Sequence, residues 1–251
     1  MSTVAVSEPS ASRSPLDMWC DLTDLSNSLF AETARGRTAT GVRPIAHGAG
    51  DVAAAVMALL RRVRHSLLVL QPETPFDPAD RCGPVVRAHR ARGVRMSVIT
   101  SPRAGFDNPF VHTRRNLALA GPAIGSLLIL DRASVVMPGP PTPSGAPTAY
   151  LASRPEVTRL ALDVWATVER QSVSGDAVGW PQATQRQRRI ASSVVLGEKD
   201  SSITRILGIS ARTLTAEVAA LLRLTGTSSR CELGFHLGRL TNFSGVAISP
   251  P

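Results

Sequence analysis

Lysine is almost missing from this chain. Lys199 stands alone among 28 basic residues, and the other 27 are arginine, a skew that reflects GC-rich coding before it reflects function. Cysteine is scarce as well. Cys20, Cys82 and Cys231 lie far apart with no C-x-x-C pair, which excludes a cysteine-based zinc site and a disulfide framework. Aromatic residues make up only 4%, so any core has to be aliphatic, and 43% hydrophobic residues are enough to build one. The longest apolar stretches, 52–60 and 118–130, are too short or too broken by Gly and Pro for a bilayer span of ~20 residues. The first fifteen residues carry no apolar run of the signal-peptide kind. A cytoplasmic chain with no membrane partner is expected.

Chemistry-bearing motifs are missing too. His47, His65, His89, His112 and His236 show no H-x-H or H-x-x-x-H spacing with a carboxylate partner, so they read as core or surface residues rather than metal ligands. Ser97, Ser101 and Ser126 lie in no G-x-S-x-G elbow, and no G-x-x-x-x-G-K-[ST] loop exists. Asp107 has no second carboxylate nearby for acid–base work. No catalytic residue, metal or cofactor is therefore assigned.

What the chain has is positive charge: +9 overall and a pI of about 11.1. Polyanions are the natural partners of such a balance, nucleic acid above all. The excess is densest at the C-terminus, where the last 69 residues hold nine Lys/Arg against four Asp/Glu. The runs Arg61-Arg62-Val63-Arg64 and Arg87 to Arg95 are able to hold an anionic ligand, although a solvated helix face is the commoner meaning of such runs.

Periodicity divides the chain. Residues 1–15, rich in Ser, Pro and Ala, read as a disordered tail. Residues 16–35 carry Leu22, Leu25, Leu29 and Phe30 at helical spacing, and 36–50 read as a loop. Helices are expected over 51–64, 80–92, 112–120 and 156–170, and strands over 66–70, 94–100, 127–130, 134–137 and 150–152. Strands alternating with helices predict an α/β domain over 16–171, with 138–147 a surface loop inside it. Residues 172–183 read as a linker, 184–241 as an all-α domain of four short helices, and 242–251 as a tail.

In that last domain Thr184 caps a helix carrying Ile190, Val194 and Val195. A second helix over 200–207 turns Ile203, Ile206 and Leu207 inward. Gly208-Ile209-Ser210 follows: Gly208 permits the positive φ that leaves a helix, Ile209 plugs the corner and Ser210 caps the next helix. The third helix, 211–225, faces the core with Leu214, Val218, Leu221 and Leu222, and the fourth, 229–240, with Leu233, Leu237 and Leu240. Two short helices joined by a Gly-containing three-residue turn form the helix-turn-helix pattern, which needs a groove-reading helix and flanking phosphate donors. A small helical bundle with a solvated charged face satisfies the same periodicity.

Residues 184–240 resemble the LuxR-type helix-turn-helix domain. The carriers are Thr184, Arg186, Gly197, Ile203, Leu207-Gly208-Ile209-Ser210, Arg212-Thr213-Leu214, Leu221, Leu224, Gly226, Ser229-Arg230 and Glu232-Leu233. The chain departs from the family pattern at Gln187, where a glutamate is usual, at Thr215, where Lys or Arg is common, and at Glu217, where histidine is usual. The resemblance places Thr215, Ala216 and Ala219 toward bases. Lys199, Arg205, Arg212, Thr213, Arg223 and Arg230 are the expected phosphate contacts.

Residues 52–171 resemble the phospholipase D-like sensor domain of TrmB-type regulators. The carriers are RRVRHSLLVLQP (61–72), AHRARGVRMSVIT (88–100) and LLILDRASVVMPG (127–139). Catalytic members carry H-x-K-x4-D, and His112-Thr113-Arg114 lacks both the lysine and the aspartate. The resemblance thus implies sensing or assembly, not catalysis. Together the two resemblances predict a transcriptional regulator that binds double-stranded promoter DNA as a homodimer. RNA polymerase and an unknown small-molecule ligand stay open as further partners. A partner-binding protein with a vestigial helix-turn-helix is the alternative.

Overall fold

A computed structural model describes residues 13–35, 41–110, 118–174 and 183–241. The first helix, α1 (Pro15–Ala34), starts at Ser14, whose hydroxyl accepts the Asp17 amide, with Pro15 at the first helical position. Then come β1 (Val42–His47), α2 (Ala49–Arg62), β2 (Ser66–Gln71), α3 (Gly83–Ala91), β3 (Arg95–Thr100), the short α4 (Pro102–Asp107) and β4 (Ala118–Ala120). The chain continues through β5 (Leu127–Leu130), β6 (Ser134–Gly139), β7 (Thr148–Ala152), α5 (Pro155–Arg170) and β8 (Val173–Ser174). Four helices close it: α6 (Gln185–Val195), α7 (Asp200–Leu207), α8 (Ala211–Thr225) and α9 (Arg230–Arg239).

Among the described residues, eight strands form one mixed sheet in the order β1-β7-β6-β5-β2-β3-β4-β8. Only β2–β3 and β3–β4 are parallel; β5, β6 and β7 form an antiparallel meander. Alternation in β2 sets the layers. Leu68 and Leu70 face α1 and α5, where Leu22, Phe30, Val164 and Trp165 are buried. Leu67 and Val69 face the opposite side, with Val63 and the α2 residues Val56, Leu59 and Leu60. Burial on both faces explains why this strand is a continuous apolar run rather than an alternating one.

Several expectations need correction. Val42–His47, expected as loop, is an edge strand paired to β7, and the edge tolerates Pro44, where the register shifts. Ala118–Ala120, expected as the end of a helix, extends the sheet beside β3, while 111–117 and His112 lie outside the described residues. Val173–Ser174, expected in the linker, pairs with β4, and 175–182 lie outside the described residues. So do 1–12 and 242–251, the two tails. Asp51 does not cap α2; the helix begins at Ala49 with Gly48 at the cap. Ile206 is 53% exposed, because α7 is only two turns long and the bundle covers the Ile203 side.

The helical part does not bury its core alone. Phe76, in the loop after β2, and Phe110, after α4, are buried together with Ile190, Ile203, Leu214, Leu221, Leu233 and Leu237. Their rings lie 4.9 Å apart, tilted. The Phe76 amide donates to the Leu240 carbonyl at 3.1 Å, and the Ala183 amide to the Pro109 carbonyl at 3.4 Å. Asn108, itself buried, donates to the Thr74 carbonyl and accepts the Phe110 amide, which holds both phenylalanine loops in register. The four helices therefore sit at the C-terminal ends of β2 and β3.

Candidate nucleic-acid interface

The candidate interface centres on α8 and its caps. Thr184 and Gln187 form a reciprocal capping box at the start of α6: the Thr184 hydroxyl accepts the Gln187 amide at 3.1 Å, and Gln187 Oε1 accepts the Thr184 amide at 2.8 Å. Glutamine thus meets the capping need that the usual glutamate would meet. α7 ends at Gly208 with φ 63°, a left-handed conformation that costs glycine nothing. Two residues later Ser210 caps α8 by accepting the Thr213 amide at 3.1 Å.

A helix advances 100° per residue, so Arg212, Ala216, Ala219 and Arg223 share an arc of about 60°, with Thr215 about 40° beyond its edge. Leu214 and Leu221 lie on the opposite side at 2% and 0% exposure. Arg212, Thr215, Ala216 and Arg223 are exposed and Ala219 is half-buried. The eleven-residue spacing of Arg212 and Arg223 separates them by roughly 16 Å along the axis. The result is a small-residue strip between two arginines. Thr215 donates its hydroxyl proton to the Ala211 carbonyl at 3.0 Å, which leaves the oxygen outward as an acceptor.

Glu217, the acidic departure, is drawn off this strip. It is 18% exposed and pairs with Arg186 of α6 at 3.3 Å, so its charge is compensated within the bundle. Sequence reasoning did not find this pair, since nothing local links positions 31 residues apart. Of the other expected phosphate contacts, Lys199 is exposed at the cap of α7 and Arg205 is exposed in its last turn. Thr213 is half-buried with its hydroxyl 2.9 Å from Ser210 Oγ. Arg230 is placed differently: its guanidinium pairs with Asp200 and donates to the Glu198 carbonyl at 2.8 Å, which ties α9 to the start of α7. The arrangement gathers Arg212, Thr213 and Arg223 on α8, with Arg205 at the turn.

Arg188 of α6, also unforeseen, reaches the loop after β2. It donates to Asp80 at 2.9 Å, while Arg87 reaches the other carboxylate oxygen at 3.3 Å. Burial pushes the Asp80 pKa up, but the hydrogen bonds and charges of Arg188 and then Arg87 outweigh it and hold the carboxyl below its usual range. Among the described residues no group of three or more His, Cys, Asp and Glu is placed to hold a metal ion, and no helix is long and apolar enough to cross a membrane.

No protein-family model matches the chain, and no curated protein matches it. Among solved structures it is similar to Nuc, a phospholipase D family member from Salmonella typhimurium, at 14% identity and TM-score 0.43, over 53% of this chain and 96% of that one. NucT from Helicobacter pylori gives 8% identity and TM-score 0.43 over the same shares. TrmBL2, an archaeal chromatin protein described as showing a novel mode of DNA binding, gives 12% identity and TM-score 0.40 over 63% of this chain and 64% of that one.

Proposed function

We propose that this chain is a DNA-binding regulatory protein in which α7, Gly208–Ser210 and α8 act as a LuxR-type helix-turn-helix. The α/β part would serve as a non-catalytic, phospholipase D-like sensing or assembly unit, and the chain would act on promoter duplex in the cytoplasm as a homodimer. The observation that carries this reading is the outward strip of α8: small side chains at 215, 216 and 219 flanked by Arg212 and Arg223, on a helix capped at both ends. A narrow helix edge suits the major groove, and arginines at both ends suit the phosphates beside it. Thr215, with its hydroxyl proton engaged, offers an acceptor, which favours a base amino group of adenine or cytosine.

Binding of the full chain to duplex DNA, followed by fluorescence anisotropy across salt concentrations, tests the proposal. Arg212→Ala and Arg223→Ala should weaken all sequences alike and each reduce the salt slope by about 1. Thr215→Ala should instead change sequence preference, by ~1–3 kcal/mol at one base pair. Identical behaviour of the three variants would overturn the docking, and unchanged binding in all of them would favour the vestigial alternative.

A further inference from the structure

On the α/β part, two stretches without acidic residues flank a short acidic one. Residues 52–72 and 81–106 contain no Asp or Glu, yet they carry Arg61, Arg62, Arg64, Arg92 and Arg95 among nine arginines. The intervening carboxylates, Glu73, Asp77 and Asp80, lie in the loop at the C-terminal end of β2, beside the four helices. A coding bias toward arginine would not produce this segregation, because it acts on basic residues and not on where acids are left out.

The fold brings five of these nine arginines to one end, while Arg87 pairs with Asp80 and Arg103 lies in α4, after the other end of β3. Arg61 and Arg62 close α2, Arg64 precedes β2, and Arg95 opens β3 opposite Ser66. Arg92 is fixed by donating to the Val63 carbonyl at 3.2 Å. Arg132 joins them in the β5–β6 turn, where the neighbouring Asp131 carboxylate accepts the amides of Arg64, His65 and Ser66. That carboxylate is the acid nearest in the chain to the cluster, and it is occupied by backbone. All six arginines are exposed, and none is ion-paired among the described residues. β2, six residues and about 20 Å long, separates this end from the loops that hold the four helices.

We infer that the N-terminal end of β2 and β3 is a second duplex-DNA contact, made through phosphates without base readout, and that one chain thereby holds two DNA segments at opposite ends of its sheet. The inference rests on the proposed DNA binding by α8. Several guanidinium groups with no internal carboxylate partner are suited to neutralising successive phosphates. Residues 61–66, 91–96 and 131–134 contain no Phe, Tyr or Trp to stack on a base, and α2 and α3 reach this end with their C-terminal turns only.

The test is a capture assay with the full chain, one immobilised 40-base-pair duplex and a second fluorescent duplex of unrelated sequence. The unaltered chain should retain the second duplex at low salt and release it as salt rises. Arg61→Gln, Arg64→Gln and Arg95→Gln combined should cut capture about tenfold and lower the salt slope by about three, at roughly one per lost phosphate contact. Binding of a single duplex through α8 should persist in this variant. The same three positions changed to Lys should keep most of the capture; loss equal to the Gln variant would overturn the charge argument. Undiminished capture by the Gln variant would also overturn the inference, placing bridging elsewhere, for instance between two copies of the chain. A chain that binds one duplex through Arg212 and Arg223 but never captures a second leaves the proposed function standing and removes this inference; a chain that binds no duplex removes both. If the Gln variant loses binding to phosphatidylserine vesicles and keeps that to DNA, the surface belongs to lipid and the inference fails.

Discussion

The sheet and the four-helix bundle cover their cores in different ways. The sheet has α1 and α5 on one face and α2 and α3 on the other, and strands such as β2 disappear between them, with Leu70 and Ile99 at 0% exposure. Its stacked pair, Phe30 on Tyr150 with ring centres 3.9 Å apart, comes from its own elements. The bundle, 59 described residues from 183 to 241, is small enough that its surface outweighs its volume. Its own core residues are aliphatic, and the two large rings it buries, Phe76 and Phe110, come from the α/β part. The bundle's fold therefore depends on the loops that follow β2 and α4, whereas the sheet's core takes nothing from α6–α9.

That asymmetry gives the largest predicted effect. Phe110→Ala or Phe76→Ala empties the bundle core from outside it and should cost about 3–5 kcal/mol. The loss should be lopsided: amide hydrogen exchange should accelerate across α6–α9 while β2, β5 and β6 stay protected. Phe30→Ala makes a similar cavity in the other core and should loosen the sheet together with the bundle. Should Phe110→Ala leave exchange in α6–α9 unchanged, the two parts are independent and the comparison fails. For the same reason, a fragment beginning near residue 183 should be markedly less helical than the same residues in the full chain.

A middle-sized effect probes what the bundle supplies for itself. Ser210→Ala removes the acceptor for the Thr213 amide and should cost about 1 kcal/mol, read as a lower urea midpoint with an unchanged slope. Ser14→Ala removes the equivalent cap from α1, where Asp17 and Pro15 also favour the helix start. A cost at Ser14 larger than at Ser210 would count against the view that the small bundle depends more on each local device.

These cases also show what could be read in advance. Helices α6–α9 were legible to within a residue or two because their limits are local chemistry, read at the Thr184 and Ser210 caps and the Gly208 stop; the structure adds Ser229 as a cap and Gly226, φ 65°, as a stop. β2 and the β5–β6 hairpin were legible from apolar runs broken at Asp131-Arg132, both of which take positive φ. β1 was not legible, because VRPIAH has neither strict alternation nor a continuous apolar run; its strand state comes from pairing with β7. Phe76 and Phe110 gave no signal of their destination, as each is a lone aromatic in an irregular segment. On the interface, the α8 strip followed from periodicity, but the neutralisation of Glu217 by Arg186 and the engagement of Arg230 by Asp200 are long-range pairings that spacing does not encode.

The smallest expected effect lies at the seam between the two parts. Asp80 takes φ 48°, a conformation that asparagine tolerates well, so Asp80→Asn changes charge with little backbone cost. Its side chain is 40% exposed and Arg188 is 12% exposed, so solvent screens the pair and the substitution should cost less than about 1 kcal/mol at pH 7. The sign follows from the depressed pKa. An unfolded aspartate titrates near 3.9, above the folded value, so the pair's contribution is full above that pH and disappears as pH falls through the folded value. Urea midpoints of the unaltered chain and of Asp80→Asn should therefore differ at pH 7 and converge in acid, as the pH falls below the unfolded aspartate's ~3.9 and on through the lower folded value. Arg188→Ala should remove the larger part of the difference at pH 7, since it takes away the stronger of the two cationic partners and leaves Arg87. A gap that persisted in acid, or that survived Arg188→Ala undiminished, would mean that Asp80 acts through its loop and not through the charge it presents to α6. The seam would then be held by the Phe76 and Phe110 rings and by the backbone hydrogen bonds from Phe76 to Leu240 and from Ala183 to Pro109.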